Sequence, residues 1–165
     1  MKALLAAAIG LLVLQDSENP DYKRWASFKV GSWVKLRTEI ESGGNKMALP
    51  TETTFMLLEV DDKQVVVEEV TVNTLQPKDS PKQEKARKKT YKATTRKAKD
   101  EGLKEGDEEI EVAGKKLACH WTEIPSAGGT GKVWVSPEVP GVVKMDVGLP
   151  SKSIQRLTAT AWEKK

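Results

Sequence analysis

From Trp33 to Ser42 the chain alternates: Val34, Leu36, Thr38 and Ile40 fall on one side, Lys35, Arg37, Glu39 and Glu41 on the other. A period of two predicts a half-buried strand. Gly43-Gly44-Asn45 then reads as a turn. Thr51 to Val60 predicts a second strand, with Phe55, Met56, Leu57 and Leu58 apolar on both faces, and Asp61-Asp62 ends it. Val-rich Gln64 to Thr74 is a third. Short connections make these three an antiparallel meander.

The same grammar returns after residue 108. Ile110 and Val112 share a face, Ala113-Gly114 is a tight turn, and Lys115 to Ile124 returns. On that return Leu117, Cys119 and Trp121 face one way, and Lys116, His120 and Thr122 the other. Gly128 to Gly131 marks another loop, and Lys132–Val135, Val142–Leu149 and Ser153–Trp162 complete the set. Eight or nine strands with short turns and no βαβ period predict an all-β chain. The expected architecture is an antiparallel barrel, half-barrel or sandwich, with at most one or two short helices. One of these is a short turn or helix at Asp21–Phe28.

The first fifteen residues break the pattern. Met1-Lys2 is followed by an unbroken apolar and small-residue run, Ala3 to Leu14. A basic start and a short apolar run are the layout of a secretory signal peptide. The run is shorter than the roughly 20 residues a membrane helix needs, so no integral membrane span is expected in the mature chain. The domain plan is therefore a signal peptide at 1–15, an N-terminal linker at 16–31, and one β domain at 32–165. The expected localisation is periplasmic or secreted.

Charge changes the picture at one place. The formal net charge is +3. Ten basic residues lie between Lys78 and Lys99, opposed only by Asp79 and Glu84, so this stretch carries +8 and the remainder −5. It forms a basic insertion at 77–101. Pro77, Ser80 and Pro81 predict a loop at its start. PKQEKARKK from Pro81 to Lys89 could form a helical turn, and Lys88 to Lys97 is Thr-rich enough for a strand. Lys85, Arg87, Lys88, Lys89, Lys92, Arg96 and Lys97 are candidates for binding an anionic envelope polymer or membrane surface. A solvated loop is the plainer reading. Tyr91 is the only aromatic in this segment. The stacking platforms that single-stranded nucleic acid requires are absent, and no nucleic-acid partner is expected.

Catalytic signals are weak throughout. One cysteine, Cys119, excludes an intramolecular disulfide and a multi-Cys metal site. Cys119 and His120 are strand neighbours pointing to opposite faces, so they cannot form a nucleophile–base pair. AGGTGK, from Ala127 to Lys132, has Ser126 and Val133 where a phosphate loop needs Gly and Ser or Thr. Glu108, Glu109 and Glu111 form a small acidic cluster, in which alternation places Glu109 and Glu111 on the solvated face. No enzyme activity, metal or cofactor is expected.

Two-sided apolar strands at Phe55–Leu58 and Val65–Val67 require cover on both faces. The cover is either a second sheet or a bound apolar molecule. Five of nine aromatics are Trp, and indoles offer large contact area with one donor. Trp33, Phe55, Leu57, Trp121 and Trp134 are therefore the candidate ligand-binding residues, for a lipid or other apolar small molecule. Each is also suited to plain core packing.

Ile110-Glu111-Val112-Ala113-Gly114-Lys115-Lys116-Leu117-Ala118-Cys119 leads to Lys132-Val133-Trp134-Val135-Ser136 and then Val139-Pro140-Gly141-Val142-Val143-Lys144. This run resembles small bacterial exported β proteins and, more distantly, LolA-like envelope half-barrels. The resemblance implies a curved antiparallel sheet and an apolar-ligand or envelope-maintenance role. It also implies a helical plug, for which Asp21–Phe28 or Pro81–Lys89 could serve. It transfers no residue's role. The function expected from all of this is an exported, non-enzymatic protein holding an apolar or amphipathic ligand in a curved β-sheet. The alternative is an interaction protein using segment 78–99.

Overall fold

Alternation between Trp33 and Ser42 becomes strand β2 (Trp33–Ser42), with Val34, Leu36 and Thr38 buried. The computed structural model describes residues 15–75, 85–97 and 103–165; for Gln15, Asp16, Arg96 and Lys97 it describes the backbone alone. The expected signal peptide at 1–15 lies almost wholly outside the described residues. After β1 (Gln15–Glu18) and helix α1 (Pro20–Ala26) come β2, β3 (Asn45–Val60), β4 (Gln64–Asn73), β5 (Lys85–Lys92) and β6 (Thr94–Lys97). Then follow β7 (Glu105–Val112), β8 (Lys115–Ser126), β9 (Gly129–Ser136), β10 (Val139–Gly148) and β11 (Ile154–Glu163).

Nine of these strands form one antiparallel sheet in the order β5-β4-β3-β2-β11-β10-β9-β8-β7, and β1 pairs with β6 apart from it. The sheet is not closed: β5 and β7 are its two edges. Of barrel, half-barrel and sandwich, the half-barrel is the one that fits. Tight turns set the hairpins. Gly43 and Gly44, and Ala113 and Gly114, all have positive φ, as the favoured two-residue hairpin turns require. Register shifts interrupt the β2–β3, β3–β4, β2–β11 and β9–β10 pairings, and such bulges increase local twist and bend. The tip of the β7–β8 hairpin reaches back to β11, where Lys115 Nζ lies 5.1 Å from the Trp162 ring centroid.

The stretch read as a linker, 16–31, carries β1 and α1. Asn19 caps the helix by accepting a hydrogen bond from the Asp21 N–H at 3.0 Å, and Pro20 follows in the first turn, where its missing donor costs nothing. Trp25 and Phe28 are buried. They pack with Leu57, Val65, Val67 and Val143 in one continuous core. The helix is tied at its N-terminal end. The Asn19 N–H donates to the Ala93 carbonyl at 2.9 Å, and the Tyr22 hydroxyl donates to the Asp61 carbonyl at 2.9 Å. Across the sheet, Arg156 grips Asp146 through two hydrogen bonds of 2.9 and 2.8 Å and reaches Glu41 at 3.2 Å. That links β10, β11 and β2.

One expectation is corrected. Lys85–Lys88 is strand, not loop or helical turn. It pairs with β4 so that Lys88 faces Glu68 and Arg87 faces Glu69, and Lys89 forms an ion pair with Glu69. Opposite charges across a ladder and a free β4 edge override the helix propensity of Lys and Arg. Residues 76–84, including Pro77 and Pro81, lie outside the described residues.

Candidate functional site

The period of two puts alternate residues of β8, β9 and β10 side by side. Thr122 pairs with Val133, and Val133 with Met145; His120 pairs with Val135. This row forms one wall of a cleft of about 800 Å³. Helix α1 and its following turn form the other, through Asp21, Arg24 and Phe28, with Leu103 at the side. The lining also includes Ile124, Pro125 and Pro137. Apolar side chains of the sheet, the helix turn and Leu103 share this lining with the charged Asp21, Lys23, Arg24, Glu105 and Glu123. Leu103 is positioned because the Lys104 N–H donates to Glu123 Oε2 at 3.0 Å and the Glu123 N–H donates back to the Lys104 carbonyl at 2.8 Å.

Of the cations lining the cleft, Arg24 is the least exposed. Its Nη1 lies 2.6 Å from Asp21 Oδ1. Burial lowers its pKa, partly offset by Asp21 and Tyr91, and arginine stays charged regardless. His120, also in the lining, is exposed and lies 2.9 Å from Asp107 Oδ1 and 3.7 Å from Glu105 Oε2. Such a cleft can hold an apolar body with a polar end. Among the described residues no group of three or more His, Cys, Asp or Glu is placed to hold a metal ion.

None of the five residues singled out as ligand candidates lines this cleft. Leu57 is fully buried in the core. Phe55 is partly buried on the same sheet face, with Lys89 Nζ 5.7 Å from its ring centroid. Trp33 faces the opposite way, and its Nε1 donates to Glu163 Oε2 at 3.0 Å. Trp121 and Trp134 are register partners on the sheet face away from Val133. Lys132 Nζ lies 3.7 Å from the Trp121 ring centroid and 4.8 Å from that of Trp134, and Lys144 Nζ lies 4.3 Å from Trp134. Glycine at 106 lets the Trp121 ring lie on the β7 backbone: a methyl there would meet Trp121 at 3.0 Å. So the structure brings Trp121 and Trp134 together, as a cation–π stack with Lys132, and keeps Phe55 and Leu57 on the opposite sheet face. Of the basic candidates, Lys85, Arg87, Lys88, Lys89 and Lys92 share edge strand β5 and are exposed. Arg96 and Lys97 fall in β6, opposite Asp16 and Gln15.

Glu108 joins the stack, accepting hydrogen bonds from Trp134 Nε1 and from Lys132 Nζ. First the indole bond and then the lysine bond hold its carboxyl below the ordinary carboxylate range. A depressed folded-state pKa stabilises above the unfolded value and loses that stabilisation as pH falls through the folded value. The stability advantage of the wild type over Glu108→Gln should therefore shrink on acidification, in urea melts followed by tryptophan fluorescence. A gap that stays constant from neutral to acid pH would contradict this.

Cys119 is buried, and burial first, then Glu108 and Glu138, push its thiol up to about 11. The thiol is protonated at neutral pH and is no nucleophile. A thiol-reactive chromophore should label it slowly in the folded chain and fast in denaturant. Equal rates would contradict the burial.

Sequence reasoning missed the cleft because its walls come from ordinary alternating strand positions, Val133, Val135 and Met145, which read as core. The useful signal is the short turn or helix at Asp21–Phe28, whose Phe28 lines the cleft.

No family model matches this chain, and no curated protein matches it. Among solved structures it is similar to a domain from Vibrio parahaemolyticus described as an outer membrane lipoprotein-sorting protein. The two share 9% identity over 87% of this chain and 89% of that one, with a TM-score of 0.33. It is also similar to a DUF1329 family protein from Desulfovibrio piger, with 9% identity over 81% and 85% of the two chains and a TM-score of 0.27.

Proposed function

We propose that this chain is an exported, non-enzymatic binding protein that holds an apolar or amphipathic ligand between α1 and strands β8–β10. The observation that carries the reading is the cleft itself. Its volume of about 800 Å³ falls within the roughly 300–1,000 Å³ of small-molecule sites. Its lining joins apolar side chains to polar and charged ones, the combination by which such sites hold and orient a ligand. Phe28, Ile124, Val135 and Met145 would contact the apolar body, and Arg24 would face a polar or anionic end. Trp33, Phe55, Leu57, Trp121 and Trp134 are assigned to the scaffold. Export to the periplasm or beyond is supported by the N-terminal pattern of Met1 to Leu14.

The test is titration of the delipidated chain with a fluorescent fatty-acid analogue. Saturable binding is expected, weakened at least about tenfold by Val135→Arg, since placing a charge against an apolar ligand costs more than the 1.4 kcal/mol that tenfold represents. Failure to bind fatty acids, lipids or a hydrophobic dye would overturn the proposal.

A further inference from the structure

The two edges of the nine-stranded sheet carry opposite charge. Strand β5, KARKKTYK, has five basic residues and no acidic one; strand β7, EGDEEIEV, has five acidic residues and no basic one. Both are edges, with no further strand paired on the outer side among the described residues. An edge strand presents unpaired backbone donors and acceptors to any chain able to add to it.

Topology makes these edges match in direction and in face. Eight successive antiparallel pairings separate them, so β5 and β7 run the same way. Register partners carry one sheet face from Arg87 through Glu69 and Phe55 to Val34 on one side. On the other side they carry it from Leu157 through Met145, Val133 and Thr122 to Glu105. Val34 and Leu157 share that face through Leu36 and Thr38 of β2. On it β5 places Lys85, Arg87 and Lys89. On the same face β7 places Glu105, Asp107, Glu109 and Glu111. A copy of the chain shifted along the sheet would lay one row beside the other in parallel pairing.

We infer that β5 of one copy docks on β7 of another, giving a head-to-tail sheet held by backbone hydrogen bonds and opposed charge rows. Matching the sign of the partner edge to edge over eight residues points to a second copy rather than to an anionic polymer. Like edges would repel, so β5–β5 and β7–β7 pairing is disfavoured. The contact is heterologous, so it grows into rings or open ladders rather than stopping at a two-fold dimer. The inference does not depend on a ligand in the cleft.

Sedimentation velocity of the full chain tests it. At about 0.01 M salt, where charges reach roughly 30 Å, average mass should rise with concentration, and it should fall back toward the monomer at about 1 M salt, where they reach roughly 3 Å. Arg87→Glu with Lys88→Glu should be monomeric alone, and so should Glu109→Lys with Glu111→Lys. An equal mixture of the two variants should associate again, because each now offers the edge the other lacks. That recovery cannot come from misfolded variants. A wild type that stays monomeric at low salt overturns the inference, as does a mixture that stays monomeric. A monomeric wild type that binds polyphosphate through β5 would also overturn it, in favour of a polyanion surface.

Discussion

Replacing Gly141 with alanine will loosen helix α1 from the sheet and destabilise the chain by about 2–5 kcal/mol. Gly141 has a φ of +72°, in the left-handed region, where a side chain costs roughly 1–2 kcal/mol. The added methyl would also lie 2.5 Å from Cζ2 of Trp25. Relieving that overlap means moving a buried indole, and overpacking of this kind costs about 1–3 kcal/mol. Trp25 is the anchor of α1, and α1 is one wall of the cleft. The damage therefore passes from a single backbone position to the helix seat and to the site. A double-mutant cycle separates the two causes. Trp25→Ala alone should cost about 3–5 kcal/mol. Combined with Gly141→Ala, the total should fall short of the sum, because the overlap is gone and only the backbone cost remains. Strictly additive costs in urea unfolding would show that the ring is not what Gly141 makes room for.

Leu57→Ala should cost about 2–5 kcal/mol, the range for emptying a fully buried aliphatic site. Leu57, Val65 and Val67 are each 0% exposed. The backbone at Leu57 is fixed too. Its N–H donates to the Ser32 carbonyl at 2.9 Å, and its carbonyl accepts from Gly31 at 2.8 Å. Neighbours pinned in this way collapse poorly into a void, which favours the upper part of the range. Because Leu57 lies outside the cleft lining, the folded fraction of the variant should bind a fluorescent fatty-acid analogue as the wild type does. A cost below about 1 kcal/mol, or binding lost at temperatures where the variant is folded, would contradict this placement.

Strand identity was legible wherever one face is wet. In β2, β7 and β8 the alternation named the buried residues correctly: Val34 and Leu36, Val112, and Leu117 and Cys119. Turn chemistry at Gly43-Gly44 and Ala113-Gly114 fixed the hairpins. Closure was not legible, because a barrel, a half-barrel and a sandwich share the same alternation. What decides between them is long-range: which strands remain edges, and where bulges bend the ladder. The basic strand β5 was obscured for a different reason. Its partners Glu68 and Glu69 lie on β4, and local composition alone favours a helix. The cleft was hidden because an alternating apolar position looks the same whether it meets a neighbouring side chain or an open space beneath a helix. Tryptophan content drew attention to Trp121 and Trp134, whose rings stack with Lys132 on the other sheet face.

The most direct test of the cleft as a ligand site is native mass spectrometry of the chain purified gently from its own source, beside Val135→Arg. An added mass on the order of a few hundred daltons, the size a cleft of this volume holds, is predicted on the wild type. It should be lost on denaturation and absent from the variant. A bare-chain mass for the wild type, or the same added mass on both proteins, would contradict it.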